Sequence, residues 1–317
     1  MSDSAPKAPA RGRARRATAP RPLDAAPAAA AAPTADARPE RVPLTSPDKL
    51  MFPEAGLSKA ALVDYYERIA PLLLPHLRDR PLTLERLPDG LTGADAKRFW
   101  QKNTPAHYPA FIPRLIVPNE DGKPVHYALC NSVEALRYLV NQGAVTFHIW
   151  LSRAPLIDQP DCVLFDLDPG PAPFASVIEL AHRLHEALQR DGHEVFVKTS
   201  GKSGLHLLVP WRGDDFGTSR AFAERIAAAV LRQRPELATL EIRKERRGGR
   251  IYLDILQNVR GHHVVPPYVV RPVPAATVSM PLAWDEVREG LDPRAFTVER
   301  ALQRAATGDP MAALYSR

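Results

Sequence analysis

The chain has 317 residues, 45% of them hydrophobic, which is enough for one large domain or two small ones with a real core. Its formal charge of +6 at neutral pH is a modest basic excess that fits nucleic acid or another polyanion without demanding one. Two cysteines, Cys130 and Cys162, exclude a disulfide framework and a zinc site built on thiolates alone, and no apolar run approaches the roughly 20 residues of a membrane helix.

Residues 1–41 are rich in Ala, Pro and Arg and almost free of large apolar side chains. Such a segment cannot bury enough surface to offset its ordering entropy, so it is expected to be a disordered basic tail that adds nonspecific attraction to phosphates, or an inert extension. Its Arg15-Arg16 pair lacks the apolar segment of a twin-arginine signal, and the run APAAAAAP is broken by Pro.

Folding is expected to begin near Val42. LTSPDKLMFP reads as an extended segment or strand ending at Pro53, and Ser58 caps a helix with Leu62, Tyr65, Tyr66, Ile69 and Leu73 on its core face. RPLTLERLP (80–88) reads as a strand, followed by a loop through Gly90 and Gly93, and VHYALCN (125–131) as another strand. Asn131 is expected to cap a second helix, SVEALRYLVNQG, closed by Gly143; GAVTFHIWLSR (143–153) then alternates as a strand. These make a first α/β lobe over about 42–155.

The second lobe, about 156–280, opens with DCVLFDLDPG (161–170). A helix follows over about 175–190, with Val177, Leu180, Leu184 and Leu188 as its apolar face, and then two strands around a glycine turn, HEVFVKTSGKSGLHLLVP. The spacing predicts a third helix over about 219–232. EIRKERRGGRIYLDILQN is a basic loop feeding a strand, and residues 281–317 form a helical segment with a short helix near 297–306. The fold class is therefore α+β.

Asp166 and Asp168 sit two apart in an apolar strand, so their carboxylates share one face. A solvated half-exposed strand is the plain explanation. The chemical one is a divalent metal site, because hard cations take oxygen ligands and relieve the repulsion between like charges. Asp254 alternates outward with Tyr252 and Leu256 in RIYLDILQN; if the two strands pair, three carboxylates share a face and suffice for two metals.

KTSGKSGLH imitates a P-loop at Gly201-Lys202-Ser203, but Phe196 stands where the first glycine belongs and a strand follows instead of a helix. What remains is either an ordinary glycine hairpin or a turn that aims the Ser200 hydroxyl at a phosphate beside Lys202 and His206. His148 in VTFHIW is more commonly a structural histidine. Arg243, Lys244, Arg246, Arg247 and Arg250 suit a solvated loop or a phosphate backbone, and Phe99-Trp100 suit core packing or base stacking.

FDLDPG, TSGKSGLH and YLDILQN followed by PPYVVR, in this order, resemble the three motifs of the archaeo-eukaryotic primase superfamily. The likeness is to the polymerase domain of bacterial ATP-dependent DNA ligase D. It covers about residues 42–305 and includes LTSPDKLMFPEAGLSK, RPLTLERLPDG, FWQK and VTFHIW.

The resemblance implies a primase-like core of mixed and antiparallel sheet with helices around a central cleft. It also implies a nucleotidyltransferase that extends primer 3′ ends in gaps or at broken ends, with ribonucleotide preference and two manganese or magnesium ions. Asp166, Asp168 and Asp254 correspond to the metal-binding acids. Ser200, Lys202, Ser203, His206, His148, Gln257 and Arg271 correspond to contacts with the nucleoside triphosphate. Lys49 and Lys59 correspond to lysines that grip a 5′-phosphate. Phe99 and Trp100, next to Lys102, correspond to the pair that packs on template bases, and Arg247 to a loop residue that organises the site.

The implied partners are gapped or broken DNA with 5′-phosphate ends, Ku and a separate ligase, in a bacterial cytoplasmic, nucleoid-associated setting without a membrane. Two departures stand out: Glu85 replaces a lysine of the phosphate pocket found in some relatives, and Ser46 replaces an Asn. No K-x-D-G ligase motif is present, and the initial Met with its tail favours a freestanding domain. A two-metal nuclease and a non-catalytic DNA-end adaptor are the competing functions.

Overall fold

The computed structural model describes residues 42–315 except 94 and 120, so the tail expected over 1–41 lies outside the described residues. In chain order the elements are β1 (Leu50–Phe52), β2 (Leu57–Ser58), α1 (Lys59–Leu77), β3 (Leu82–Arg86), β4 (Phe99–Gln101), β5 (Arg114–Pro118), β6 (Pro124–Ala128), α2 (Val133–Asn141) and β7 (Ala144–Ile149). There follow β8 (Cys162–Asp168), α3 (Phe174–Arg190), β9 (Phe196–Thr199), β10 (Leu205–Pro210), α4 (Phe216–Gln233), β11 (Ala238–Thr239), β12 (Ile251–Asp254), β13 (Pro281–Leu282) and α5 (Val298–Ala305). The fold is mixed α+β, with five α-helices and three mostly antiparallel sheets among the described residues. No helix among them is long and apolar enough to cross a membrane.

The largest sheet runs β11-β12-β8-β10-β9-β13, so β8 lies inside it with a partner on each edge. Cys162, Val163, Leu164, Phe165 and Leu167 are fully buried, which is what an interior strand covered by helices requires. Helices α3 and α4 pack on each other and on β8, each through one apolar face. In the second sheet β3 is central: β7 pairs with one edge, and β4 and β6 share the other. An isolated bridge between Ile149 and Val264 ties the end of β7 to the loop after β12. One apolar core takes in residues from both sheets, from Met51 to Leu314.

Several elements differ from the sequence expectation. Residues 99–101 and 114–118 form short strands where the sequence pattern predicts no element, because β3 and β6 supply their hydrogen bonds. Helix α2 is capped by Ser132, whose Oγ accepts from the Ala135 N–H at 3.1 Å. Asn131 instead exchanges hydrogen bonds with Asp79, a residue at φ 58°. Helix α4 begins at Phe216 under a capping box between Asp215 and Thr218, which starts it ahead of Ser219. Pro281–Leu282 close the large sheet as an edge strand next to β9.

Candidate active site

Register places the acids. In the antiparallel pair of β12 and β8, Asp254 stands directly opposite Asp166, and Tyr252 opposite Asp168. On the other edge of β8, His206 of β10 stands opposite Asp166, and Lys198 of β9 stands opposite His206. Residues directly opposite share a face, so Asp254, Asp166, His206 and Lys198 form one polar row across four strands. Val163, Phe165 and Leu167 alternate onto the other, buried face of β8.

Each carboxyl group has a partner of its own. Asp254 accepts from the Leu256 N–H at 2.8 Å and from the Gln257 amide at 3.0 Å. Asp168 lies 3.6 Å from the Arg247 guanidinium, and Asp166 lies 3.5 Å from His206 Nε2. Accordingly, among the described residues no three His, Cys, Asp or Glu side chains stand as a ready metal cage. The chemistry of the donor set nevertheless fits a hard divalent cation. All three donors are carboxylates, and burial, then Asp254, with Asp168 adding to them, push Asp166 up to about 7 against the pull of Lys198 and Arg271.

The glycine turn lies beside them. Ser200 Oγ accepts from the Lys202 and Gly204 N–H groups at 3.2 and 3.0 Å, which leaves its hydroxyl hydrogen free to donate. Two glycines are required here on steric grounds. A Cβ on Gly204 would lie 2.1 Å from the Leu167 carbonyl oxygen, and Gly201, at φ +71°, would clash with Arg271 and the Ser279 N. The turn is thereby pressed against β8 next to the acids.

A cleft of about 340 Å³ is lined by Asp166, Asp168, Asp254, Ser200, Lys202, Ser203, His206, His148, Gln257, Arg271 and Arg247. Burial holds the Arg271 guanidinium below its ordinary value, with Glu85 and Asp166 pulling the other way, and its Nε has no hydrogen-bond partner. His148 is buried, and desolvation pushes it down to about 4. Arg247 lies over the Tyr252 ring, 3.9 Å from its centroid.

The other sequence candidates lie outside the lining of this cleft. Trp100 is half exposed and sits 4.5 Å, centroid to centroid, from the His148 ring; Phe99 lies under Arg86. Lys102 acts electrostatically on His263, which does line the cleft. Lys49 donates to the Pro88 carbonyl, whereas Lys59 is buried and donates to both oxygens of Thr45. Glu85 is buried between Arg98 and His148, at 3.4 and 3.6 Å. Ser46 has a φ of 49°, a left-handed conformation that Asn tolerates better than Ser does.

Sequence reasoning missed Tyr252, His263 and Lys198. Tyr252 was legible from strand alternation alone, and Lys198 from a cation inside the apolar run VFVKT.

Three acids in one cleft of a mixed sheet, beside a glycine turn and basic side chains, suit a nucleotidyltransferase of the primase-polymerase class. The chain belongs to the family described as LigD, primase-polymerase domain, whose model matches residues 58–311. It is 32% identical over 255 residues to the multifunctional non-homologous end joining protein LigD of Mycolicibacterium smegmatis, covering 79% of this chain and 33% of that protein. The Pseudomonas aeruginosa protein of the same name is 34% identical over 250 residues, covering 78% of this chain and 29% of that protein. The chain thus spans about a third of the length of these curated relatives. Among solved structures, the polymerase domain from Mycobacterium tuberculosis ligase D in complex with DNA matches with a TM-score of 0.82 and 29% identity, covering 87% of this chain and 98% of that one. The family is one of nucleotidyltransferases that use divalent metals and nucleoside triphosphates.

Proposed function

We propose that this chain adds nucleotides, ribonucleotides by preference, to primer 3′ ends in DNA gaps and at broken ends during non-homologous end joining. The observation that carries the reading is the pairing of Asp254 with Asp166, two residues from Asp168, beside the Ser200 turn in one cleft. Asp166, Asp168 and Asp254 would hold two manganese or magnesium ions. When bound, such ions lower the pKa of an attacking hydroxyl and neutralise charge on a triphosphate.

The chain's own groups do the rest. Ser200 donates its hydroxyl hydrogen toward the β and γ phosphates, and Lys202 and Arg271 offset their charge. Ser203 and His206 sit beside the same turn and add donors. Gln257 orients the Asp254 carboxyl through its amide. Arg247 holds the basic loop against Asp168. The exposed face of Trp100, backed by His148, offers a base a surface on which to stack, with Phe99 and Lys102 on the same strand edge.

Lys49 and Lys59 would meet a 5′-phosphate at the far side of a gap. That contact is weaker than in relatives with a lysine at position 85, because Glu85 is buried against His148 and both ammonium groups already donate to backbone carbonyls. Ku and a separate ligase are the proposed partners, and the bacterial nucleoid the proposed place.

The test is a gapped duplex with a labelled primer, with or without a 5′-phosphate, incubated with each nucleotide class and manganese or magnesium. Stepwise lengthening by the wild type, lost in Asp168→Ala with DNA binding retained, is the expected result. Shortening of the primer would make the chain a nuclease, and binding without any change in length would make it an adaptor.

A further inference from the structure

Lys198 interrupts the buried strand β9, where its side chain is completely shielded from water. An unpaired ammonium at such a place is costly, and an apolar residue would pack there without penalty. Its hydrogen bonds explain its presence. Nζ lies 2.9 Å from His206 Nδ1, 2.7 Å from Ser279 Oγ and 3.5 Å from the Thr199 carbonyl oxygen. The Ser279 hydroxyl already donates to the Thr199 carbonyl, at 2.9 Å, so toward Lys198 it accepts. Two of the three, Ser279 Oγ and the Thr199 carbonyl oxygen, can only accept from Nζ, and the role of His206 Nδ1 follows its tautomer.

A lysine that keeps its three N–H bonds needs a third acceptor there, and that sets the state of the histidine. With Lys198 donating to Nδ1, His206 must carry its proton on Nε2, the nitrogen that lies 3.5 Å from Asp166 Oδ1 at the cleft. The cross-strand register holds the ring from both sides, with Lys198 opposite it on β9 and Asp166 opposite it on β8.

We propose that Lys198, anchored by Ser279, is a positioning residue that fixes the ring plane and tautomer of His206 and so presents an Nε2–H to an anionic ligand in the cleft. Its effect on nucleotide binding rests on the proposed reading of that cleft; the tautomer itself does not.

The experiment is ¹⁵N NMR of the chain with labelled histidine imidazoles, the His206 signals being assigned by their loss in His206→Asn. The wild type is expected to show His206 as the Nε2–H tautomer. Lys198→Met should mix the two tautomers, and Ser279→Ala, a smaller change that leaves the lysine in place, should mix them in part. An Nδ1–H tautomer in the wild type, or an unchanged His206 spectrum in both variants, overturns the proposal. In primer extension, Lys198→Met should raise KM for the triphosphate about 10- to 100-fold, the size of one charge-assisted hydrogen bond, with a smaller change in kcat. A lost tautomer with KM unchanged would place the error in the reading of the cleft and not in the positioning role.

Discussion

Asp161, just before β8, and Asp166, near its end, share one strand's scaffold and meet opposite fates. Arg80 grips both oxygens of Asp161, at 2.7 and 2.6 Å, and Arg153 adds a third hydrogen bond at 2.8 Å. Burial pushes the Asp161 carboxyl up, but the two arginines outweigh it and hold it below the usual carboxylate range. Asp166 has the reverse balance: burial, Asp254 and Asp168 raise it to about 7, and its nearest basic group is His206 at 3.5 Å. One acid is satisfied by the chain and holds the fold together. The other is left with a repulsion that the chain does not relieve and that a proton or a bound cation does, which is how a binding site draws on stability.

Neutralising each acid should therefore move stability in opposite directions. Asp161→Asn leaves Arg80, fully buried, without its counter-charge, and is expected to cost about 3–5 kcal/mol in urea unfolding. A loss under about 1 kcal/mol, the usual worth of an exposed pair, would mean that water satisfies the guanidinium and would remove the contrast. Asp166→Asn removes a like charge from a crowded row. With a chelator present it is expected to stabilise the chain by roughly 1–3 kcal/mol, while abolishing extension. Manganese should then raise the melting temperature of the wild type more than that of the variant. If Asp166→Asn lowered stability instead, the two acids would be alike and the cation argument would fail.

This contrast was half legible in the sequence. Strand periodicity is local, so the shared face of Asp166 and Asp168 and the outward turn of Asp254 followed from spacing alone. The pairing of β12 with β8 did not, since strand order is a long-range property, and the sequence supported it only as a condition. The partners of Asp161 were invisible for the same reason: Arg80 comes from before β3 and Arg153 from beyond β7. Strands β4 and β5 were missed because short, largely exposed strands owe their existence to a neighbour's hydrogen bonds. The Ser132 cap was misassigned to Asn131 because two good caps stood side by side, and the bond from Asn131 to Asp79 decided between them.

The pH dependence separates the two effects most finely. Asp161 has a folded pKa below its unfolded value, so the unfolded chain binds its proton first as pH falls. Its contribution is fully present above about pH 4, the ordinary aspartate value, and is lost as pH drops through the lower folded value. The stability gap between wild type and Asp161→Asn should thus stay constant from neutral pH down to about 5 and narrow progressively below about 4, by at most about 1.4 kcal/mol per pH unit. Once Asp161 is protonated, the wild type and the variant lose their distinction, because in both chains Arg80 faces an uncharged partner. A gap that did not narrow at all between about pH 4 and about pH 3 would show that the asparagine acts through packing or lost hydrogen-bond geometry, and that the charge on Asp161 is not what sets it apart from Asp166.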